Sequence, residues 1–400
     1  MKYKHLNLKY ALINCFYYML MCGAMGFANN YLQYKEFGTS LIGMILTVVS
    51  IGALIGQTGM APVVDHSEKI NEKRFILITL AVTSLSFLLI GFLPDGSPLI
   101  ILFWILGGAF GSMGLPYLNS IAFIYEKEGQ KINYGLGRGI GSVSYAVAGF
   151  IIGQLISRIN AGILSYWLFI TGFITFLCVL SLQVPERVKT DEGNHKKEEK
   201  KIGYGAFFRK YHDILLVCLS LICLFFCHML INSFMLDVIR NIGGNAADQG
   251  NATFIQAMVE MPPLFAFAWL LKKYGVDHLM LWGAVFYSIK HVLVLIAPNM
   301  TVYYIAMVLQ MVSYAVIVPG MVYFADAHIA PEDRNQGQAI MTAMTTIGNL
   351  LASFFGGVMI SSFGVHTALF IGTVISVIGT ILMIAGILKL KKEPPVKSEL

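Results

Sequence analysis

Apolar residues in this chain of 400 residues fall into twelve long runs, separated by short polar turns and, midway, by a basic stretch from Arg187 to Lys210. Crossing a hydrocarbon core of ~30 Å takes ~20 mostly apolar residues of helix. The runs have about that length. Six come first, at residues 10–28, 41–62, 75–93, 99–125, 134–156 and 163–182. Six follow, at 214–238, 252–271, 279–297, 302–324, 339–361 and 365–388. Backbone amides in lipid must find partners within their own segment, so these runs are helices and not open strands. The pattern predicts an all-α membrane protein of twelve transmembrane helices in two six-helix bundles, 1–186 and 212–400. A cytoplasmic linker, 187–211, joins them, and a short basic tail ends the chain.

The distribution of basic residues orients the helices. Of the 28 Lys and Arg residues, 24 fall on one side, in the N-terminus, the 2/3, 4/5, 8/9 and 10/11 turns, the central stretch and the tail. Lys35, Arg158 and Arg240 fall on the other side, and Lys290 lies within a span. Cytoplasmic loops retain Lys and Arg, so both termini and the central stretch are expected in the cytoplasm, with the chain in the inner (cytoplasmic) membrane. The net charge of +6 then reflects topology and attraction to anionic lipid; no nucleic-acid partner is expected.

Composition agrees with that solvent. Hydrophobic residues make up 56% and charged residues 12% of the chain, and mean hydropathy is +0.70. The six cysteines all lie in apolar runs, where Cys behaves as a small hydrophobe. None has zinc-type spacing with histidine, so no metal, disulfide or cofactor is expected. Glycines four apart, Gly52/Gly56, Gly107/Gly111, Gly137/Gly141 and Gly149/Gly153, suit close helix packing. No Ser/His/Asp set or hydrolytic carboxylate pair suggests an enzyme.

Charges inside the bilayer narrow the search, because each costs about 2.5 to 3.5 kcal/mol on insertion scales. Glu260 and Lys290 sit on successive spans, both ~10 to 12 Å below the outer surface at 1.5 Å per residue, and can meet as an ion pair. Either Glu260 takes up and releases a proton, with Lys290 balancing its charged and neutral forms, or the two form a permanent structural bridge. Pro262 and Pro263 weaken the helix directly after Glu260. On the fifth span Arg138, Ser142 and Tyr145 follow at i, i+4 and i+7, offering a guanidinium fork, a hydroxyl and an aromatic face on one stripe. Arg138 reads equally as an interfacial anchor. His228, His291 and Asp237 read as satisfied or interfacial groups.

Two six-helix halves with charged 2/3 and 8/9 turns resemble the major facilitator superfamily over essentially the whole chain. The stretch from Tyr134 to Ala146, with Gly135-Leu136-Gly137-Arg138 and Ser142-Val143-Ser144-Tyr145, is similar to the opening of the fifth helix in its lactose permease-like branch, which includes sugar, nucleoside and phenylpropionate symporters. The resemblance implies that Arg138 binds substrate and that Tyr145 stacks on a sugar ring. It implies also that Glu260 contributes to binding and proton coupling, and that Lys290, in place of an arginine, assists deprotonation. Departures accompany the matches. Asn119 stands where the branch has an acidic partner for the arginine, and Ser313 where it has a histidine. Asp65, Lys73 and Arg74 keep only part of the family's 2/3 turn, read here as a cytoplasmic gate.

The expectation is a monomeric secondary carrier that moves a small polar organic solute, a sugar or glycoside, with a proton by alternating access. Binding is assigned to Arg138, Asn119, Ser142, Tyr145 and Glu260, and coupling to Glu260 and Lys290. A nucleoside or small aromatic acid symporter and a multidrug exporter are alternatives from the same superfamily, and a membrane solute sensor is one from another class.

Overall fold

The computed structural model describes residues 5–66, 71–127, 130, 132–183 and 203–392, all helices and their connections. Among them, eleven helices are long and apolar enough to cross a membrane, and a bent pair makes a twelfth span. The pair, α1, consists of Leu6–Gly26 and Ala28–Tyr34, bent by 53°. The further spans are α2 (Thr39–Met60), α3 (Glu72–Ile90), α4 (Pro98–Tyr125), α5 (Tyr134–Arg158), α6 (Ile163–Leu180), α7 (His212–Ser233), α8 (Ala246–Tyr274), α9 (Val276–Leu295), α10 (Met300–His328), α11 (Pro331–Phe363) and α12 (Val365–Lys391). The twelve-span architecture expected from the apolar runs is present. The α1 bend was not anticipated: a π turn over Cys22–Gly26 ends at Phe27, which leaves helical geometry at φ −118°, ψ 14°.

Where spans begin, asparagine supplies the missing acceptor. Asn71 and Asn133 accept the backbone N–H groups of Arg74 and Leu136, both at 2.9 Å, at the starts of α3 and α5, satisfying donors that a helix start leaves bare. At the other pole Lys73 donates to the carbonyls of Leu180 and Leu182 at the end of α6. Lys9 reaches Ser181 O at 2.7 Å in the same place. Cations there complement the negative helix end. The structure thus gives Lys73 a capping role alongside its expected gate role. Arg74 is described at the same turn, and the Asp65 side chain lies outside the described residues.

Contacts divide the chain into two units. The first holds residues 1–187 with 233–240 and 244–257; the second holds 188–232, 241–243 and 258–400. In the first, α1 packs on α5 and α6, and α3 on α4 and α6. Tyr31 and Phe87 close on Trp104 at ring-centroid distances of 5.2 and 5.3 Å, and the Tyr31 hydroxyl donates to Ile90 O at 2.9 Å. The Gly149/Gly153 face of α5 meets the first turns of α8: a Cβ on Gly153 would stand 2.5 Å from Ala246 O and 2.7 Å from Gly250 Cα. Only glycine permits backbones to come this close.

In the second unit α9 packs on α10 and α12, with a buried hydroxyl ladder in which Ser288 Oγ lies 2.7 Å from Thr380 Oγ1 and 3.1 Å from Ser376 Oγ. Part of the stretch expected as linker is folded. A helix at Tyr204–Lys210 is fixed by Asp333, which accepts from Lys210 Nζ at 2.7 Å and from the Tyr211 hydroxyl at 2.8 Å, while Phe207 is fully buried. Phe207 in this helix and Tyr211 directly after it are both buried, which holds the segment despite its charges. Residues 184–202 lie outside the described residues.

The α5–α8 crossing yields a paired test. Gly153→Ala should lower the thermal unfolding midpoint in detergent, consistent with an overpacking cost of about 1–3 kcal/mol. Gly139→Ala, on the same helix with no atom within 4 Å of a built Cβ, should leave it unchanged or raise it, as replacing a helical glycine gains up to ~1 kcal/mol.

Candidate functional site

Two helix breaks in the second unit put polar side chains where a continuous helix would bury only its apolar face. In α8 the helix stops at Val259 and resumes at Met261, with Glu260 at the junction. Pro262 and Pro263 have no N–H to give the carbonyls one turn back. In α10 a single 3-10 turn, Leu309–Met311, precedes Ser313, whose backbone at φ −107°, ψ −87° is not helical. The Ser313 hydroxyl donates to Leu309 O at 2.8 Å, beside the backbone N–H groups of Val312 and Ser313 that share the same acceptor. Gln310 lies within this turn.

Gln310 joins the two charged residues. Its Nε2 donates to Glu260 Oε1 at 2.9 Å, and its Oε1 accepts from Lys290 Nζ. Lys290 is wholly buried and Gln310 is 3% exposed. A buried ammonium is tolerated only with hydrogen-bonded partners, and an amide, being both donor and acceptor, transmits the pairing. The expected meeting of Glu260 and Lys290 is thus a three-residue chain across α8, α9 and α10.

Around it lie groups that sequence reasoning set aside or missed. His228 stacks on Tyr314 with ring centroids 5.1 Å apart and contacts Tyr287 edge-on at 5.4 Å. His291 Nδ1 lies 2.7 Å from Ser376 Oγ, but its Nε2, and the Tyr287 hydroxyl, are buried without a hydrogen-bond partner. His291 is therefore only partly satisfied, whereas the His228 ring nitrogens lie 3.1 and 3.3 Å from Asn232 Nδ2. A cavity of about 270 Å³ adjoins this cluster, lined by Phe225, Tyr314, Gln338, Thr342, Thr345 and Asn349, and Asn349 Oδ1 is buried and unpaired. The α11 residues among these, at spacings of four, three and four, form one polar stripe.

The first unit carries the arginine. Arg138 Nη1 donates to Ser142 Oγ at 2.8 Å, and its guanidinium lies 4.6 Å from the Tyr18 ring centre. Gly141 makes room for that ring, since a Cβ there would stand 2.5 Å from Tyr18 Cδ2. Arg138 is exposed, and one of its five donors is engaged by Ser142. Tyr145 is partly buried, its hydroxyl 3.3 Å from where a Cβ on Gly26 would be. Arg138, Ser142 and Tyr18 are brought together. Asn119 stands apart from that hydrogen bond, with its Oδ1 buried and unpaired.

The same unit contains a polar clasp that sequence reading overlooked. Asp237, set aside as interfacial, accepts from Asn29 Nδ2 at 2.6 Å and Gln33 Nε2 at 2.7 Å. Arg240 donates to Gln33 Oε1 at 2.7 Å, and Asn30 to Gln249 Oε1 at 2.8 Å. Asn29, Asn30 and Gln33, three amides at the end of an apolar run, were the available signal.

Twelve spans, two of them broken where buried polar groups sit, define a polytopic membrane protein. Residues 5–371 match the MFS_1 like family, to which the chain belongs; it is a major facilitator transporter. Two curated relatives are the uncharacterized transporter YwbF of Bacillus subtilis (strain 168), 24% identical over 322 residues covering 80% of this chain and 77% of that protein, and a maltose permease of Geobacillus stearothermophilus, 23% identical over 359 residues covering 88% of each. Among solved structures, the nucleoside transporter NupG superposes with a TM-score of 0.78 at 15% identity, over 98% of this chain and all of that one. A bacterial homolog of the human lysosomal transporter Spinster, inward-facing and unoccupied, gives 0.69 at 16% identity over 97% of each chain. These superpositions establish the fold.

The amide bridge predicts a coupled pair of variants. Gln310→Leu strands a buried ammonium and Lys290→Met strands a buried carbonyl, and each should cost about 1–3 kcal/mol. The double variant should lose clearly less than the two losses together, read from unfolding midpoints of the purified proteins. Additive losses would mean that the two side chains do not act as a pair.

Proposed function

We propose that the chain is a proton-coupled carrier that imports a small hydroxylated solute, a sugar or glycoside, across the cytoplasmic membrane by alternating access. The observation that carries this reading is the Glu260–Gln310–Lys290 chain at two helix breaks. A carboxylate in a spanning helix, linked through an amide to a buried cation, has two charge states whose balance the helix breaks bias. Protonation of Glu260 shifts a conformational equilibrium to the extent that the two conformations bind the proton differently. On this reading Arg138, with Ser142, Tyr145 and the open acceptor of Asn119, holds the solute: a planar fork of donors beside a hydroxyl, an amide and an aromatic face suits a ring bearing several hydroxyls. The similarity to a maltose permease supports the sugar assignment. Lys73 and Arg74, with Asp65, serve as the gate on the side that the charge distribution assigns to the cytoplasm.

A nucleoside is the second reading. The stacked His228–Tyr314 pair and the amides of Gln338 and Asn349 around the cavity suit a flat heteroaromatic base carrying a sugar, and the fold likeness to a nucleoside transporter points the same way.

Solute-induced alkalinisation of a weakly buffered cell suspension, screened over sugars, glycosides and nucleosides, tests both. The transported solute should alkalinise the medium of cells bearing the parent. Glu260→Gln should abolish the alkalinisation and accumulation against a gradient while solute still exchanges at equilibrium; accumulation that survives removes Glu260 from coupling. Arg138→Lys should raise the half-saturating concentration at least about tenfold, the scale of one charge-assisted hydrogen bond. Unchanged uptake would remove Arg138 from the binding set.

A further inference from the structure

The second unit has an apolar groove of about 310 Å³ between α8, α9 and α10, separate from the polar chain and from the α11 cavity. Pro262, Ala266 and Leu270 form one wall at spacings of four, and Leu279, Trp282 and Val316 form the others. Its rim belongs to the membrane. Phe265 is 87% and Trp269 58% exposed on helices that cross the bilayer, which for apolar rings of this size means contact with lipid.

What distinguishes this groove from ordinary lipid-facing surface is its basic end. Trp282, part of the wall, lies 4.7 Å from the Tyr274 ring. Lys273 covers both Tyr274 and Trp269, its ammonium 5.0 and 4.9 Å from their centres. Lys272 stands exposed beside it. Aromatic rings and lysines at one level of a spanning helix mark the headgroup region. A lysine there attracts anionic lipid, and the apolar slot directly below accepts a chain.

We propose that this groove is a binding site for one anionic phospholipid, with the phosphate at Lys272 and Lys273 and an acyl chain between α8, α9 and α10. A free inorganic anion would find the same lysines but would fill none of the groove. A neutral phospholipid would fill the groove without the charge pairing. A chain seated here packs against Pro262 and Pro263, the two residues after the Glu260 break, so the lipid is placed to bias that break.

Brominated lipids, whose bromine quenches tryptophan on contact, test this with the full-length protein in phosphatidylcholine vesicles. The signal of the groove is the part of the quenching lost in W269F/W282F. In the parent, brominated phosphatidylglycerol should reach half-maximal quenching at a mole fraction at least about fivefold lower than brominated phosphatidylcholine, since one basic residue near the surface contributes roughly that factor. K272Q/K273Q should bring the two lipids together while leaving quenching by brominated phosphatidylcholine unchanged, which also reports that the groove is intact. Equal half-quenching fractions in the parent, or a phosphatidylglycerol preference that survives K272Q/K273Q, would overturn the assignment.

Discussion

The ammonium group of Lys290, with no exposure to solvent, is the constraint around which the second half is arranged. A cation at that depth needs acceptors, and a continuous helix has none to spare because its carbonyls are already committed. The solution here is to break two neighbouring helices. The α10 break holds Gln310 in a short 3-10 turn, where its amide oxygen accepts a hydrogen bond from the ammonium, and the α8 break holds Glu260 where its carboxylate accepts one from the amide N–H. Removing either break would draw one partner back onto a helix face. The charge, the two prolines after Glu260 and the irregular turn therefore depend on one another.

The first half handles its cation differently. Arg138 is exposed and rests on the face of Tyr18, with Ser142 one turn away on its own helix. Gly141 lets the ring lie close to α5, so the glycine serves the arginine by way of the tyrosine. An exposed guanidinium on an aromatic platform keeps hydrogen-bonding capacity for a ligand, while a buried ammonium tied through an amide does not. Under the function we propose, that difference divides the labour between recognising a solute and responding to a proton.

Much of this was legible in the sequence because the bilayer imposes strong local rules. Span number, the costly charges at Glu260 and Lys290, and the common face of Arg138 and Ser142 follow from apolar run length and helical spacing. Gln310 was not legible: a neutral amide in an apolar run raises no alarm, and its role depends on residues on two other helices. Gly250 escaped for the same reason, since the glycine pair on α5 announces a close contact but not its partner. The α1 bend is a π turn over Cys22–Gly26 in an apolar run whose hydropathy alone does not mark a break, although Gly23 and Gly26 loosen the helix there. The α11 stripe of Gln338, Thr342, Thr345 and Asn349 was visible at helical spacing, but attention to charge passed over it. Family likeness supplied roles for the matching arginine and glutamate. It could not supply Gln310, because it directed attention to the residues the family uses on the tenth helix.

Infrared difference spectroscopy across a pH step, on the purified protein in membranes, tests the central claim most directly. A carboxyl band that responds to pH in the parent should be absent from Glu260→Gln and shifted in Gln310→Leu, where the hydrogen bond from the amide is gone. Identical carboxyl bands in all three proteins would contradict the account, because Glu260 would then be neither the group that exchanges the proton nor a partner of Gln310.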